Sequence, residues 1–600
     1  MSGEILMVGR AAFDAVLLLL VAAMVGYAAT PRKWLSFHPG LALLQGVSWG
    51  LTVISLFVWL AGSLVGTRAT VWVVGLLVVA SLARVTGWVK LVRQALGLAT
   101  RTLGLHPLAA GLLMLPALWS VPALILPIID SDGLRYHLAL PKLFLLEGRI
   151  FLHPWDVVGA YPQAAEMFYL LGLQMGSAEA AKWLHFMVAG LGVVALVMMV
   201  GGRRSGGLLG GVAFAVTPAV LAGAGAAFID GFSMLHIAVA AVGLKRRIHP
   251  GALGLALAGA AWTKWTAAPA ILGCLVFLIL ESPRGSRWRR GLTALAPIVL
   301  VIAPVAIRNA VVTSDPFFPI LTGMIRGEVP GVDPELMDTV SQRHRAIPGP
   351  LGIPWGVSVG EVECDEIVGW HHLLGLILLP LFFRDRRARL AGVLIVPYLI
   401  VGLFFHPSIR LAIPMIWGLA VIEGLVLNRL RPVLATVLVL VAVIPLLPHV
   451  GVDARSVVEG FLSGELDTED VVERLVPGAK AAEFINQQSE SGRVMALDFP
   501  APFLFDRPWV AEGLVNRPPL ALWLKQDLTV DEIRARLDDN EIRWIVVTPG
   551  YGGGRPESLL PVASTVDEGA VMLGLRRQLE LVFSEENVDV WVVKKLSPKP

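Results

Sequence analysis

Asp130, Asp132, Tyr136, His137, Glu166, Asp230, Lys264, Arg308, Asp315, His371, His372, His406 and Arg410 are the residues of this chain whose types and placement suit chemistry, and many of them stand at the end of an apolar run. Carboxylates and imidazoles exchange protons, and lysine and arginine hold anions. An ionisable group at a membrane costs a few kcal/mol unless it is paired or faces water, so a gathering of both signs reads as a site. Taken singly, such residues are more often helix caps or anchors. Asp132 stands directly before the amphipathic segment Gly133 to Leu140, where it would serve as an N-cap. The triplet Asp130-Ser131-Asp132 has the form of a divalent-cation site for Mg or Mn, although a D-x-D match is frequent by chance. That reading stays open at this point, and no other cofactor is implied. His371 and His372 follow Trp370 at a membrane edge and read as interfacial anchors. Trp155 and Trp355 suit either stacking on a sugar or the headgroup region.

The elements that must hold these residues are helices in a bilayer. Hydrophobic residues are 56% of the 600 and charged residues 16%, which excludes a water-exposed globule of this length. A net charge of +3 is too small to suggest nucleic acid. Cys274 in an apolar run and Cys364 in a long loop supply no framework for disulfides or a structural metal. A spanning helix needs roughly 20 mostly apolar residues, and about fourteen candidate runs lie between residues 11 and 448. Basic clusters mark cytoplasmic loops: Arg32 and Lys33; Lys90, Arg93 and Arg101; Arg203 and Arg204; Lys245 to Arg247; Arg284 to Arg290; Arg384 to Arg389; and Arg429 with Arg431. Each is separated from the next by enough apolar sequence for two crossings, and only Arg68, in a tight outside turn, departs from the rule. The first helix carries Glu4, Arg10 and Asp14 and no small-residue cleavage pattern, so it is expected to be retained.

These readings predict a polytopic α-helical membrane protein of about 12–14 transmembrane helices, with a small C-terminal α/β domain outside the cytoplasm. Its parts are expected to be extra N-terminal helices over 1–104, a transmembrane module over 105–448 and a soluble domain over 449–600. The main external loops fall at about 130–180 and 308–367, the second a candidate lid. In the soluble part, Thr529 and Glu532 form a capping box for the segment Val530 to Asp539. Arg493 to Asp498, Trp544 to Thr548 and Val588 to Val593 read as strands. Gly552 to Gly554 lacks the ending and context of a phosphate-binding loop.

Four stretches resemble the GT-C superfamily of multi-pass glycosyltransferases, which includes the protein O-mannosyltransferases and the aminoarabinose transferases of lipid A. Asp132-Gly-Leu-Arg-Tyr136-His137 with Pro141-Lys142, Glu147-Gly148-Arg149-Ile150, Tyr161-Pro162 and Glu166-Met167 is similar to the family's first external loop. Phe228-Ile229-Asp230 followed by Thr263-Lys264-Trp265-Thr266 resembles the later acidic and lysine-aromatic steps. Arg308-Asn309 with Asp315-Pro316-Phe317-Phe318-Pro319 resembles a segment in which Gly-Asn is usual where Ser314-Asp315 stands here. His406-Pro-Ser-Ile-Arg410 with Pro414 matches more weakly, without the tyrosine that usually follows the arginine. The resemblance covers roughly residues 105–430.

The resemblance implies a sugar donor carried on polyprenyl phosphate, an envelope lipid, glycan or protein as acceptor, and a single inverting displacement in the inner or plasma membrane. It makes Asp132 the general base, with His137 hydrogen-bonded to it and Tyr136 in support. Lys264 and Arg410, with Arg308 behind them, would hold the donor phosphate. Glu166 and Asp230 would orient the acceptor, the lysine or a metal. The amphipathic segment around Tyr136 to Leu146 would lie along the interface. The alternative from another class is a transporter or flippase of a lipid-linked saccharide, which calls for inverted repeats and helices broken near the midplane; the sequence displays neither. A third is a catalytically silent structural subunit.

Overall fold

The computed structural model describes residues 2–152, 158–201, 204–318, 368–404, 409–443, 455–497, 499–511 and most of 519–548 and 571–594. Trp155, Arg203, Trp355, Cys364, His406, Asp498, Gly552 to Gly554 and most of the expected lid, over 319–367, lie outside the described residues.

The protein is a polytopic helical bundle with a small C-terminal sheet. Among the described residues six helical segments are long and apolar enough to cross a membrane: Leu6–Ala29, Pro39–Leu64, Pro107–Ile125, Ala180–Val200, Arg284–Thr313 and Arg410–Leu427. The pair Thr67–Leu82 and Val85–Leu105, bent by 82°, would make a seventh. Other apolar runs among the described residues form helices of 10–17 residues, such as Gly206–Ala215 and Trp265–Leu280. Small residues let the helices approach closely. A Cβ on Gly50 would lie 1.7 Å from the Ala22 carbonyl oxygen, so Ser2–Ala29 and Pro39–Leu64 touch backbone to backbone.

Lys90, Arg93 and Arg101, expected in a loop, lie instead on the helix Val85–Leu105. The bend before it is fixed by Arg84, whose Nη1 donates to the carbonyls of Ala28 (3.0 Å) and Thr30 (2.6 Å). This break therefore sits at the end of the first helix and is not a broken helix at mid-bundle.

The C-terminal sheet has the order β2-β1-β3-β5-β4, with β1 Arg493–Leu497, β2 Trp509–Ala511, β3 Ile542–Val547, β4 Leu579–Glu585 and β5 Val588–Val593. β1 runs parallel to β2 and β3, and the β3-β5 and β5-β4 pairs are antiparallel. Alternation along β1 and β3 gives the sheet two apolar faces. Met495, Leu497, Ile545 and Val547 pack with Ile533 and Leu537 of the helix Val530–Asp539. Val494, Ala496, Trp544 and Val546 join the main core with Ala482 and Ile485. The capping box is present: Glu532 N donates to Thr529 Oγ1 (3.3 Å), and Thr529 N donates to Glu532 Oε2 (2.8 Å).

This unit docks on the short helix Ala139–Leu146. Lys142 Nζ donates to the Phe503 carbonyl (2.9 Å) and to Asp506 Oδ1 (2.7 Å), and Glu147, at the helix end, pairs with Arg493. The helix expected to lie along the interface is thus also the seat of the C-terminal sheet.

Candidate active site

The chain leaves the helix Pro107–Ile125 and enters a π-helical turn, Gly133–His137. Such turns are rare and recur at functional sites. Asp130 builds this one. Its Oδ1 accepts from Gly133 N (2.6 Å) and its Oδ2 from Ala227 N (3.1 Å). Asp132, which the sequence allowed as the N-cap, makes no cap bond. The two carboxylates of the triplet thus face different partners, and both Asp130 oxygens hold backbone N–H groups. A Mg or Mn ion shared by Asp130 and Asp132 would have to compete with these backbone donors for the Asp130 oxygens. Burial pushes the Asp130 carboxyl above its ordinary range. A Cβ at position 133 would stand 2.6 Å from Asp130 Oδ1. Gly133→Ala is expected to cost about 1–3 kcal/mol through that overlap, read as a lower thermal midpoint of the purified protein.

Asp132 is released for other work. Its Oδ2 accepts from Arg410 Nη1 at 2.7 Å, with both side chains largely buried. Burial alone would raise the Asp132 carboxyl; the Arg410 guanidinium, His137 and the Tyr136 hydroxyl more than offset this and hold it below its ordinary range. Arg410 also lies over the Phe228 ring, 4.4 Å from its centroid. It shares a cleft with Phe228, His185 and Asp230.

Asp230 opens the helix Asp230–Lys245, and its Oδ1 accepts from Lys264 Nζ at 2.9 Å. Lys264 is an extended residue between the helix Pro250–Thr263 and the turn Trp265–Ala267, a break that turns it out of the apolar run. Asp230 thus orients the lysine, a task the sequence left between it and Glu166. Glu166 has a different partner: His137 Nδ1 lies 2.8 Å from its Oε1, and the two side chains are only 4% and 6% exposed. The expected hydrogen bond from His137 to Asp132 is therefore corrected. His137 acts on Asp132 through space, and its ring nitrogen is held by Glu166.

Arg308 has partners of its own. It donates to the Gly159 carbonyl (2.9 Å) and to Asn309 Oδ1, and lies 5.4 Å from the Trp59 ring centroid. Asn309 Nδ2 donates to the Ala160 carbonyl (2.8 Å). Together they clamp the first external loop just before Tyr161-Pro162. Asp315 accepts from Phe317 N (2.8 Å), and the Phe317 ring meets Trp265 edge-on at 5.6 Å, next to Lys264. Ser314 takes a left-handed conformation (φ 62°) where the resembling family has glycine.

Sequence reasoning missed three residues here. His185 Nε2 accepts from Gly231 N (3.0 Å) at the start of the Asp230 helix. Lys182, 1% exposed, donates to the carbonyls of Ala123 (2.9 Å), Leu126 and Pro127 (3.3 Å), closing the end of the helix before Asp130. The Tyr169 hydroxyl donates to the Phe228 carbonyl. A lysine and a histidine inside the apolar run Ala180–Val200 were the signal available for the first two. His371 and His372 are 4% and 1% exposed between helices, so their reading as anchors is corrected.

No family model and no curated protein sequence matches the chain. Among solved structures it is similar to ArnT from Cupriavidus metallidurans bound to undecaprenyl phosphate: the TM-score is 0.51 at 16% identity, covering 83% of this chain and 100% of that one. The apo state of the same protein gives a TM-score of 0.48 at 16% identity, over 83% of this chain and 98% of that one. The chain shares the fold of ArnT.

Proposed function

We propose that this chain is a membrane glycosyltransferase that moves a sugar from a polyprenyl-phosphate carrier to an envelope lipid, glycan or protein. The observation that carries the proposal is the paired arrangement at one cleft. Two carboxylates, Asp132 and Asp230, each hold one cation, Arg410 and Lys264, in a fold shared with a protein solved with undecaprenyl phosphate bound. In the resting pairs each cation waits on a carboxylate. A donor phosphate entering from the bilayer competes for both cations and leaves Asp132 free to take a proton.

In the reaction the acceptor oxygen attacks the anomeric carbon and its proton passes to Asp132. The bond from that carbon to the phosphate oxygen breaks as the new bond forms. The charge left on polyprenyl phosphate is held by Arg410 and Lys264. Attack opposite the leaving group inverts the anomeric centre. The charge distribution of the loops supports an extracytoplasmic position for the site and the docked C-terminal unit, in the inner or plasma membrane.

The test is transfer from radiolabelled polyprenyl-phosphate sugars to membrane acceptors by purified wild type and Lys264→Ala at matched expression. Transfer by wild type, with a loss of about tenfold or more in the variant, is the expected result. If no donor is consumed while labelled lipid changes leaflet, the chain is a transporter and the transferase reading falls.

A further inference from the structure

A second cluster of ionisable groups shares no residue with the one around Asp132. His371 and His372 begin the helix His371–Leu378, and Glu423 lies in the helix Ile413–Leu427. Ala213, in the last turn of the helix Gly206–Ala215, and Thr217, just beyond it, complete the surroundings. One nitrogen from each imidazole and one Glu423 oxygen lie within 4.8 Å of one another, and all three residues are buried.

The hydrogen bonds leave one position open. The Thr217 hydroxyl, 3.1 Å from the Ala213 carbonyl, lies 2.9 Å from His372 Nε2, and His372 Nδ1 lies 2.7 Å from Glu423 Oε1, so that imidazole is held at both nitrogens. His371 Nε2 faces the same Ala213 carbonyl at 3.3 Å, an acceptor, so its proton is on Nε2. Its Nδ1 is left with a lone pair, buried without a hydrogen-bond partner.

With the proton of the His372–Glu423 pair in place, His371 Nδ1 stays unmet, at the usual cost of a buried orphan. A divalent metal that displaces that proton would satisfy all three. The contacts to Nε2 are the outer bonds that metal-binding histidines make, fixing tautomer and ring orientation. Two imidazoles and one carboxylate suit Zn²⁺ among the common divalent ions. Tetrahedral zinc sets its ligand atoms roughly 3.3 Å apart, so the His372–Glu423 pair parts slightly and His371 draws in. We infer that His371, His372 and Glu423 form a structural zinc site that ties the helix His371–Leu378 to the two helices beside it.

The experiment uses tag-free full-length protein in detergent, stripped with a chelator, reloaded with zinc alone, desalted and analysed for metal by mass spectrometry. Wild type and Asp132→Asn are expected to retain roughly one zinc per chain. His371→Ala should retain none, and Glu423→Gln should bind at least about tenfold more weakly. Chelation should lower the thermal midpoint of wild type and leave that of His371→Ala unmoved. Equal zinc in wild type and His371→Ala, or none in either, overturns the inference. If the variants do not fold, the X-ray absorption spectrum of zinc in wild type decides: two imidazoles in the shell support the site, and a shell without them refutes it.

Discussion

Asp132→Asn should slow sugar transfer by about 10²–10⁴-fold while leaving the fold and donor binding in place. Asparagine has nearly the same shape, and its amide oxygen still accepts from Arg410, but it takes no proton from the acceptor. The wild-type pH profile carries the same assignment. Asp132 sits below its ordinary value of 3.8 because Arg410, His137 and Tyr136 outweigh burial. Its base form is thus fully present at neutral pH and is lost only as pH falls through that lowered value. kcat/KM, which reports the groups of the donor-free enzyme, should be flat in this respect from about pH 5 to 8. Asparagine at 132 transferring within threefold of wild type would remove Asp132 from the role of base.

Arg410→Ala should reduce turnover by about 10²–10³-fold, the usual loss when one preorganised donor to a developing negative charge is removed. A second consequence separates this variant from a merely damaged one. With the guanidinium gone, burial becomes the dominant influence on Asp132 and raises its carboxyl. The base form is then lost at a higher pH, so the acid limb of the profile moves up toward neutrality. Arg410→Lys should return part of the rate and move the limb back, since it restores the charge without the planar fork. Rates and limb position measured together decide the matter: a slow variant with an unmoved limb would mean that Arg410 does not govern Asp132.

Much of the site was legible in the sequence because its residues stand where apolar runs stop. Asp132, Asp230, Lys264 and Arg410 are all at such ends, and the structure pairs them in twos. What was not legible is who pairs with whom. His137 and Asp132 are close in sequence, but the π-helical turn gives the histidine to Glu166, 29 residues away. Arg308 carries the right charge, and in the structure the Gly159 carbonyl of the first external loop and the Asn309 side chain accept from it. Lys182 and His185 were hidden because an apolar run masks a polar residue whose partners come from another helix. In the C-terminal unit, β1, β3 and β5 were foreseen from buried apolar runs. β2 is only three residues long, and β4 exposes most of its side chains at a sheet edge, so neither left an apolar run to read.

The Arg410–Asp132 bond also has a history in time. Arg410 lies 278 residues after Asp132 in the chain. At about 5–20 residues per second of synthesis, the carboxylate is made roughly 15–55 s before its cation exists. A nascent bundle that closed early around residues 130–137 would trap an unpaired charge in apolar surroundings, so insertion must leave this turn wet until the arginine arrives.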